Sequence, residues 1–172
     1  SIDHDELSFY VADFSGHFHR FTSSGEPISG VDLGTAIQSS AAISPDGTLF
    51  IGSKGGDVYG LTPDLSIIWQ DTLPGEVTVS PTLGLGGEVF FGTSSGLMVA
   101  YSEDGVRQWT REVFGYIGGS PAIGVDGTLL FGTDQGQLFG LDPTTGETRF
   151  VYETDEEKGI GSVAISNDGD IY

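Results

Sequence analysis

The sequence contains no cysteine, so disulfide bonds, thiolate metal ligands and cysteine nucleophiles are all excluded. Basic residues are scarce too, with 6 Lys and Arg against 25 Asp and Glu, and the formal net charge is −19. A negative field of this size repels phosphate groups, which argues against binding to nucleic acid or anionic lipid. No apolar run approaches the roughly 20 residues of a membrane-spanning helix. We therefore expect no nucleic-acid partner and no membrane insertion.

The acidity has three possible explanations, which the sequence leaves open. It can reflect a well-solvated surface, a source that lives in high salt, or a surface that attracts cations or a basic partner. The first residues, Ser1 to Glu6, are acidic where a secretory leader would be basic, so we expect no signal peptide within this sequence.

Glycine and proline are abundant instead, with 28 Gly and 7 Pro in 172 residues, which favours tight turns over long helices. A 14-residue segment occurs twice, as residues 40–53 (SAAISPDGTLFIGS) and residues 120–133 (SPAIGVDGTLLFGT). Shorter versions start at Ser80 and Ser162, so the four starts are 40, 40 and 42 residues apart. Turn glycines keep the same spacing, at Gly16, Gly56, Gly96 and Gly136. An internal period of this length indicates a repeat architecture.

Each repeat divides into four short strands. In the second repeat the predicted strands are residues 40–43, 48–53, 57–61 and 67–69. An Asp-Gly pair between runs of β-branched and aromatic residues, here Asp46-Gly47, is a strong hairpin signal. The pattern predicts one antiparallel meander of four strands per repeat.

The apolar pattern indicates how these sheets pack. Residues 49–51 (LFI), 89–91 (VFF) and 129–131 (LLF) are apolar at consecutive positions, whereas a sheet with one wet face alternates apolar and polar residues. Both faces of each sheet are therefore expected to be buried, as in the radially packed blades of a β-propeller. A helical repeat of the same length is excluded, because apolar residues are not spaced by three and four and glycine is too frequent.

We predict an all-β propeller of about four blades plus the start of a fifth. The expected blade boundaries are residues 1–39, 40–79, 80–119, 120–161 and, as a partial blade, 162–172. Small residues at one repeat position, Gly60, Ala100 and Gly140, predict a close approach of the neighbouring blade. Pro81 and Pro121 are expected to begin the edge strand of each blade that lines the central channel.

The repeats resemble those of the pyrroloquinoline-quinone-type (PQQ-like) propeller family. Residues 140–150 (GLDPTTGETRF) are similar to its tryptophan-docking motif, Ala-x-Asp-x-x-Thr-Gly-x-x-x-Trp. Asp142, Thr145 and Gly146 match the motif, whereas Gly140 and Phe150 are conservative departures from it. Trp69 and Trp109 hold the aromatic position in the two preceding repeats, with Asp64 and Asp104-Gly105 at the turn, and Ser29 stands there in the first repeat. The signature of WD-type repeats, with Gly-His and Trp-Asp, is absent.

The resemblance implies a structural role for these residues, in which each ring docks flat against the next blade as an apolar anchor. It also implies a propeller of seven or eight blades, so the chain is expected to be part of a longer protein. The family includes quinoprotein dehydrogenases, an outer-membrane-assembly lipoprotein and luminal stress sensors, which places the chain outside the cytoplasm, in the periplasm, at the cell surface or secreted. An arc of about four blades would expose an apolar face at each end, so the isolated chain is also expected to form a head-to-tail homodimer.

His17 and His19 are the candidate metal ligands. They alternate on one strand, so both imidazoles point to the same face, where Asp13, Asp3 and His4 could complete a site. The competing explanation is a degenerate first blade, because His19 aligns with the packing positions Tyr59, Val99 and Phe139. We favour the second explanation and expect no metal site.

Two acidic segments have plain explanations. Residues 167–170 (NDGD) superficially suggest a calcium loop, but they lack the later bidentate Glu and align with the hairpin turn at Asp46-Gly47. Residues 153–158 (ETDEEK) fall in a connection between blades, where we expect a solvated charge run.

The function expected from the sequence is a non-catalytic scaffold or recognition module that binds a protein or other ligand. The alternative is a fragment of a quinoprotein oxidoreductase, which would bring pyrroloquinoline quinone and calcium. Against it stand the missing cysteines, the few Lys and Arg side chains, and the position of Asp142 within the docking turn. No nucleophile–base pair or phosphate-binding loop is found, and we assign no catalytic or cofactor-binding residue.

Overall fold

A computed structural model describes residues 2–3, 8–154, 158–166 and 168–172 of the chain. Across these residues the secondary structure consists of sixteen strands and no helix. The strands form four separate sheets, and each sheet is a meander of four consecutive antiparallel strands. The predicted all-β fold of four-stranded antiparallel sheets is confirmed. In the part of the chain described, no helix is long and apolar enough to cross a membrane.

The strands follow the repeat. The first sheet contains β1 (Ile2–Asp3), β2 (Ser8–Ala12), β3 (His17–Phe21) and β4 (Pro27–Asp32). The second contains β5 (Ala42–Ile43), β6 (Leu49–Gly52), β7 (Asp57–Leu61) and β8 (Ile67–Thr72). The third contains β9 (Thr82–Leu83), β10 (Glu88–Gly92), β11 (Leu97–Ser102) and β12 (Arg107–Glu112). The fourth contains β13 (Ala122–Ile123), β14 (Leu129–Gly132), β15 (Gln137–Leu141) and β16 (Thr148–Glu153).

Residues 162–172 begin a further unit. Ala164 and Tyr172 exchange two backbone hydrogen bonds of 2.9 and 2.8 Å, and Ile165 pairs with Ile171 in an antiparallel bridge. The hairpin is anchored to the fourth sheet, where the backbone N–H of Ser120 donates to the Ser162 hydroxyl at 3.1 Å. All its described residues are exposed or half-buried. Asn167, within the segment that superficially suggests a calcium loop, lies outside the described residues.

Aspartate and glycine form the turn between the first two strands of a sheet. Asp46 accepts hydrogen bonds from the hydroxyl of Ser44 and from the backbone N–H of Thr48. The following Gly47 has a φ of +89°, a backbone conformation that favours glycine. The Asp-Gly pair in the sequence therefore corresponds to a turn that the aspartate side chain stabilises by accepting hydrogen bonds.

The core consists of three apolar layers, each between two consecutive sheets. Strand β6 is buried at every position, and so are β14 and all of β10 except Glu88. Such strands bury both faces, as the run of consecutive apolar residues predicts. The sheets therefore stack face to face along the chain.

Serines connect the first strands of neighbouring sheets near the edge of the stack. The backbone N–H of Ser40 donates to the hydroxyl of Ser80 at 3.0 Å, and that of Ser80 donates to the hydroxyl of Ser120 at 3.1 Å. The Ser120–Ser162 contact continues the series. The second, third and fourth sheets are thus each tied to the following unit by the residue that starts their repeat.

Two details differ from the sequence predictions. A Cβ on Gly60 would collide with the ring of Trp69, and one on Gly140 with the ring of Phe150, both residues of the same sheet. The small residues therefore make room for an aromatic ring from the adjacent strand rather than for the backbone of the neighbouring blade. Pro81 and Pro121 immediately precede strands β9 and β13 instead of beginning them, and both strands lie at the edge of their sheets.

Candidate functional site

Trp69 and Trp109 reach from the last strand of their own sheet to the turn between the third and fourth strands of the next sheet. We call this turn the outer turn. The indole N–H of Trp69 donates to the backbone carbonyl of Glu103, and that of Trp109 to the carbonyl of Pro143, each at 2.8 Å. Glu103 and Pro143 are equivalent positions in the third and fourth repeats. The Trp69 ring also stacks on Tyr101 of the following sheet, with ring centroids 5.3 Å apart and an interplanar angle of 20°. The contact thus combines apolar area with one directed hydrogen bond.

A glycine in the receiving turn makes this contact possible. Gly105 and Gly146 have φ values of +84° and +71°, and a Cβ on either would collide with the docked tryptophan ring. In the second of these turns, Asp142 accepts the backbone N–H groups of Thr144 and Thr145 at 3.0 and 3.1 Å. A hydrogen bond from Arg149, followed by the one from the Thr145 backbone, lowers the pKa of Asp142. The carboxylate of Asp142 therefore stabilises the turn that receives Trp109.

The contact between the first and second sheets uses different residues. Ser29 stands where the tryptophan would be, and Tyr10 donates its hydroxyl to the carbonyl of Pro63 at 2.9 Å. Pro63 is the repeat equivalent of the residues that accept from Trp69 and Trp109. Leu65 replaces the glycine of the receiving turn, and its side chain is buried although its φ is +70°. A hydrogen bond to the carbonyl of the receiving turn is retained at this junction, but the large apolar side chain stands in the turn instead of on the last strand.

Phe150 holds the aromatic position of the fourth sheet. Its ring lies over Gly140, as Trp69 lies over Gly60. The side chain is 41% exposed. No outer turn of a following sheet occurs among the residues described, so this ring has only its own sheet to pack against.

The two candidate metal ligands stack on each other. The rings of His17 and His19 are 5.8 Å apart and nearly parallel, and Nε2 of His19 lies 3.5 Å from Oδ2 of Asp13. Asp13 accepts hydrogen bonds from the Ser15 hydroxyl and the His17 backbone N–H, and these two bonds, in that order, lower the pKa of Asp13. His4 and the side chain of Asp3 lie outside the described residues. Within the part described, no group of three or more His, Asp or Glu is arranged to hold a metal ion.

In the acidic connection between the fourth sheet and the hairpin, residues 153–158, the structure describes Glu153, Thr154 and Lys158. Glu153 accepts a hydrogen bond from the side chain of Gln137 at 3.0 Å. A Cβ on Gly136 would lie 2.6 Å from Oγ1 of Thr154. Residues 155–157 lie outside the described residues.

A cleft of about 290 Å³ opens between the first and second sheets. It is lined by Tyr10, Val11, Ala12, Phe14, Phe18, Ile37, Gln38, Ser39, Ser40 and Ala41. Pyrroloquinoline quinone is a tricarboxylate that is held through cations, and calcium requires several oxygen ligands. This lining contains no Lys, Arg, Asp or Glu, so the cleft does not fit the quinone with calcium.

Three exposed aromatic side chains lie at one end of the sheets. In an antiparallel meander, the turns between second and third strands and the connections to the next sheet lie at the same end. Phe14, in such a turn, is 76% exposed, and Phe114, in such a connection, is 77% exposed. Tyr116 of the same connection contacts the hydroxyl of Thr78 at 3.2 Å. We call this end, with Phe14, Phe114 and Tyr116, the aromatic end.

The backbone holds the aromatic end in place. Each connection offers a carbonyl to the following turn, with Ala36 accepting from Lys54 at 2.8 Å and Tyr116 accepting from Asp134 at 2.9 Å. The sequence reasoning missed Phe14 and Phe114. The signal for Phe14 was an aromatic residue at a turn position that is Lys54, Ser94 or Asp134 in the other repeats. The signal for Phe114 was an aromatic residue at a connection position that is Gly34 in the first connection and Pro74 in the second.

Comparison with solved structures identifies the fold. The crystal structure of BamB from Moraxella catarrhalis superposes with a TM-score of 0.80 at 20% sequence identity. The match covers 92% of this chain and 49% of that one, so the chain spans about half the length of the protein it matches. The four sheets are therefore blades of a PQQ-like β-propeller. No curated protein sequence is significantly similar to the chain.

A family profile covers most of the sequence. The profile described as outer membrane protein assembly factor BamB matches residues 16–169, which include all four docking positions and the start of the fifth unit. The tryptophan contacts, the repeat period and the profile agree with the resemblance that residues 140–150 indicate. The chain therefore belongs to the BamB family of PQQ-like repeat proteins.

Proposed function

We propose that this chain is a non-catalytic segment of a propeller that serves as a scaffold and binds a protein partner through its aromatic end, outside the cytoplasm. The observation that carries the proposal is the exposure of Phe14 and Phe114 on backbone segments held by hydrogen bonds. Aromatic side chains are enriched at the centres of protein interfaces, where they bury large areas at small entropic cost. The family description, which names an assembly factor of the outer membrane, supports both the scaffold role and the location.

The ionisable groups of the chain support a role without chemistry. Asp13, Asp46, Asp64, Asp126 and Asp142 all have lowered pKa values, and the main cause in each is hydrogen bonding within or beside a turn. Such carboxylates are ionised and stabilise the turns by accepting hydrogen bonds. They are not acids or bases with a pKa near neutral pH.

The test is site-specific photo-crosslinking in the cells that produce the protein. A photoactivatable phenylalanine analogue replaces Phe114, and a matched variant carries it at Leu85. Leu85 is 82% exposed in a turn at the opposite end of the sheets. We expect a discrete covalent adduct from position 114 and none from position 85. Equal labelling at both positions, or none at 114, would contradict the proposal.

A second measurement addresses the quinoprotein alternative. Pyrroloquinoline quinone with excess calcium is added to the purified chain and the melting temperature is recorded. Because the cleft offers no cation to the quinone, we expect no shift at saturating concentrations. A clear rise in melting temperature would favour the oxidoreductase fragment instead.

A further inference from the structure

The connection between the third and fourth sheets is held by the side chain of Asp134. The backbone N–H of Tyr116 donates to Oδ1 of Asp134 at 2.7 Å, and the backbone N–H of Asp134 donates to the carbonyl of Tyr116 at 2.9 Å. A Cβ on Gly115 would lie 2.6 Å from the same carboxylate oxygen. The carboxylate therefore lies against the residue that follows Phe114, so a negative charge lies close to the backbone that carries this exposed ring.

The acceptor in the same contact one repeat earlier is neutral. Glu76 is the equivalent of Tyr116 and Ser94 is the equivalent of Asp134, and the Ser94 hydroxyl accepts the Glu76 backbone N–H at 2.8 Å. The Ser94 backbone N–H donates to the Glu76 carbonyl, also at 2.8 Å. A hydroxyl is thus sufficient to hold such a connection, and the negative charge of Asp134 is not required for that purpose.

The ring of Tyr116 is fixed on the surface. Its hydroxyl lies 3.2 Å from that of Thr78, and a Cβ on Gly118 would lie 2.5 Å from Cε1 of the ring. The side chain is nevertheless 36% exposed, and Phe114, two residues earlier, is 77% exposed. Both aromatic side chains therefore stand on one connection whose backbone is held by hydrogen bonds, and they offer ring surface to a partner at small entropic cost.

Two carboxylates in this part of the aromatic end lack a cation. Glu112 ends β12 and is exposed, and Asp134 is exposed in the turn before β15. No ion pair with either is found among the residues that the structure describes. Arg111 precedes Glu112, but its guanidinium donates to the Thr148 hydroxyl at 2.9 Å, and successive side chains of a strand point to opposite faces. We use the name acidic–aromatic patch for the group Glu112, Phe114, Tyr116 and Asp134.

Elsewhere at the aromatic end the chain supplies the cation itself. Nζ of Lys54 lies 3.9 Å from Oε1 of Glu76, and the two side chains are 48% and 47% exposed. Lys54 occupies the turn position that is Asp134 at the patch, so the patch has an acid where the second sheet has a base. The cation that balances the patch is therefore left for a partner to supply.

Aromatic rings beside unpaired carboxylates favour one partner chemistry. A Lys or Arg side chain is attracted by the face of an aromatic ring and by a carboxylate, and its methylene groups pack on apolar surface. An acidic segment would be repelled by the patch and by the net charge of −19. An uncharged apolar segment would cover the carboxylates without giving them a partner, which is costly. A basic segment satisfies both kinds of side chain at once.

We propose that the partner binds the acidic–aromatic patch with a protein segment that carries arginine or lysine next to an apolar residue. The apolar residue packs on the ring of Phe114, and the basic side chain lies between this ring and the carboxylates of Glu112 and Asp134. The inference rests on the proposed function, since it uses the same surface and specifies the chemistry of the segment that binds there. Charge attracts the segment from a distance, and contact with the rings then holds it.

Photo-crosslinking from position 114 in the producing cells tests the proposal with a charge-matched pair of double variants. Glu112→Gln with Asp134→Asn removes both negative charges, and the asparagine keeps an oxygen that can accept the backbone N–H. Glu26→Gln with Glu147→Gln removes the same charge from exposed residues of outer turns, at the opposite end of the sheets. We expect the adduct yield to fall about threefold or more in the patch variant, as the loss of two exposed ion pairs implies, and to stay unchanged in the control.

Two further measurements examine the sign of the charge. Glu112→Lys should lower the yield more than Glu112→Gln, because it repels a basic segment as well as removing a negative charge. Mass spectrometry of the adduct should find more Lys and Arg than Asp and Glu around the crosslinked residue of the partner. Thermal unfolding checks that the variants are folded, and if Asp134→Asn unfolds, Glu112→Gln against Glu147→Gln is the charge-matched single pair.

The outcomes separate this inference from the proposed function. An adduct whose yield is unchanged in the patch variant, or falls equally in both double variants, would overturn the basic segment and leave the binding surface in place. A crosslinked segment without an excess of Lys and Arg would do the same. No adduct from position 114 in the otherwise unchanged chain would contradict the proposed function, and the basic segment would fall with it.

Discussion

At positions 29 and 65 the small and the large side chain are the reverse of those at the equivalent positions of the other repeats. Where the last strand carries Trp69 or Trp109, the receiving turn carries glycine, and where it carries Ser29 the turn carries Leu65. Arg20 takes part as well, because it stands where the other sheets have Gly60, Ala100 or Gly140 and is buried beside Tyr10. The volume between two sheets is therefore kept while the residues that fill it change, as close packing demands.

This exchange predicts strong coupling among three substitutions. Ser29→Trp alone should be severely destabilising, since the new ring would meet both Arg20 and Leu65. Adding Arg20→Gly and Leu65→Gly rebuilds the version seen at Trp69, so the triple variant should recover at least about 2 kcal/mol relative to the sum of the separate effects. Denaturant unfolding of the single variants and the triple variant measures the coupling. If the effects of the three substitutions on the free energy of unfolding simply add, these residues do not depend on one another and the prediction is wrong.

The docked tryptophans should each contribute strongly to stability. Trp69→Ala and Trp109→Ala remove an aromatic ring packed between sheets, which costs about 3 kcal/mol or more in the free energy of unfolding. The two variants should behave alike because both rings donate to an equivalent carbonyl at 2.8 Å. Phe114→Ala serves as control, and as an exposed change it should stay within about 0.5 kcal/mol of the parent chain. If either tryptophan variant unfolds like the parent, docking does not stabilise that junction.

At the scale of strands and turns, the sequence was informative wherever the repeat imposes the same chemistry each time. The Asp-Gly turns, the consecutive apolar triplets and the Trp positions all predicted elements that the structure contains. The small residue at Gly60 was misinterpreted because the sequence does not reveal that a ring from the adjacent strand covers it. Leu65 could not be predicted, since a buried leucine at positive φ departs from the glycine preference of that backbone conformation.

The aspartate-fastened turns make stability depend on pH. A hydrogen bond from Ser44, then one from the Thr48 backbone, lowers the pKa of Asp46, and bonds from Thr128 lower that of Asp126. Unfolded aspartate has a pKa of about 3.9, so the stabilisation is complete above that pH and is lost as the pH falls through the lower folded values. We expect the free energy of unfolding to fall below about pH 4, and Asp126→Asn to reduce this dependence. A steady gain in stability down to pH 2.5, driven by neutralisation of the surface, would contradict this prediction.

The serine series predicts a smaller effect at the junction of the second and third sheets. Ser80→Ala removes the hydroxyl that accepts the Ser40 N–H, whereas Ser80→Thr keeps it. Because Ser40 is exposed and water can replace the lost partner, the alanine variant should lose only about 1 kcal/mol. Thermal unfolding of both variants checks the prediction, and equal losses would assign the effect to packing rather than to the hydrogen bond.

For the whole molecule, the repeat period predicted the stack of sheets, and the family profile agrees with it over residues 16–169. The aromatic end was not predicted, because one exposed Phe14 or Phe114 breaks no periodic pattern and its accessibility depends on the path of the connections. The side of the strand that each ring occupies also needed the structure, because the bulge that follows Arg20, Gly60, Ala100 and Gly140 in their strands changes the local register.

The charge of the whole molecule predicts that salt stabilises the fold. With 25 acidic and 6 basic side chains, most negative charges have no cation nearby, and the net of −19 is confined to a chain of 172 residues. The ion pairs of the described residues include Arg107 with Asp71 and Arg149 with Asp142, and both are partly exposed, so screening them costs little. Repulsion acts over about 10 Å at 0.1 M salt and over about 3 Å at 1 M. The melting temperature should therefore rise as sodium chloride increases from 0.05 M to 1 M, and most steeply at the low end, where screening changes fastest. A melting temperature indifferent to sodium chloride over this range would show that the negative charges are too far apart to repel one another in the folded chain.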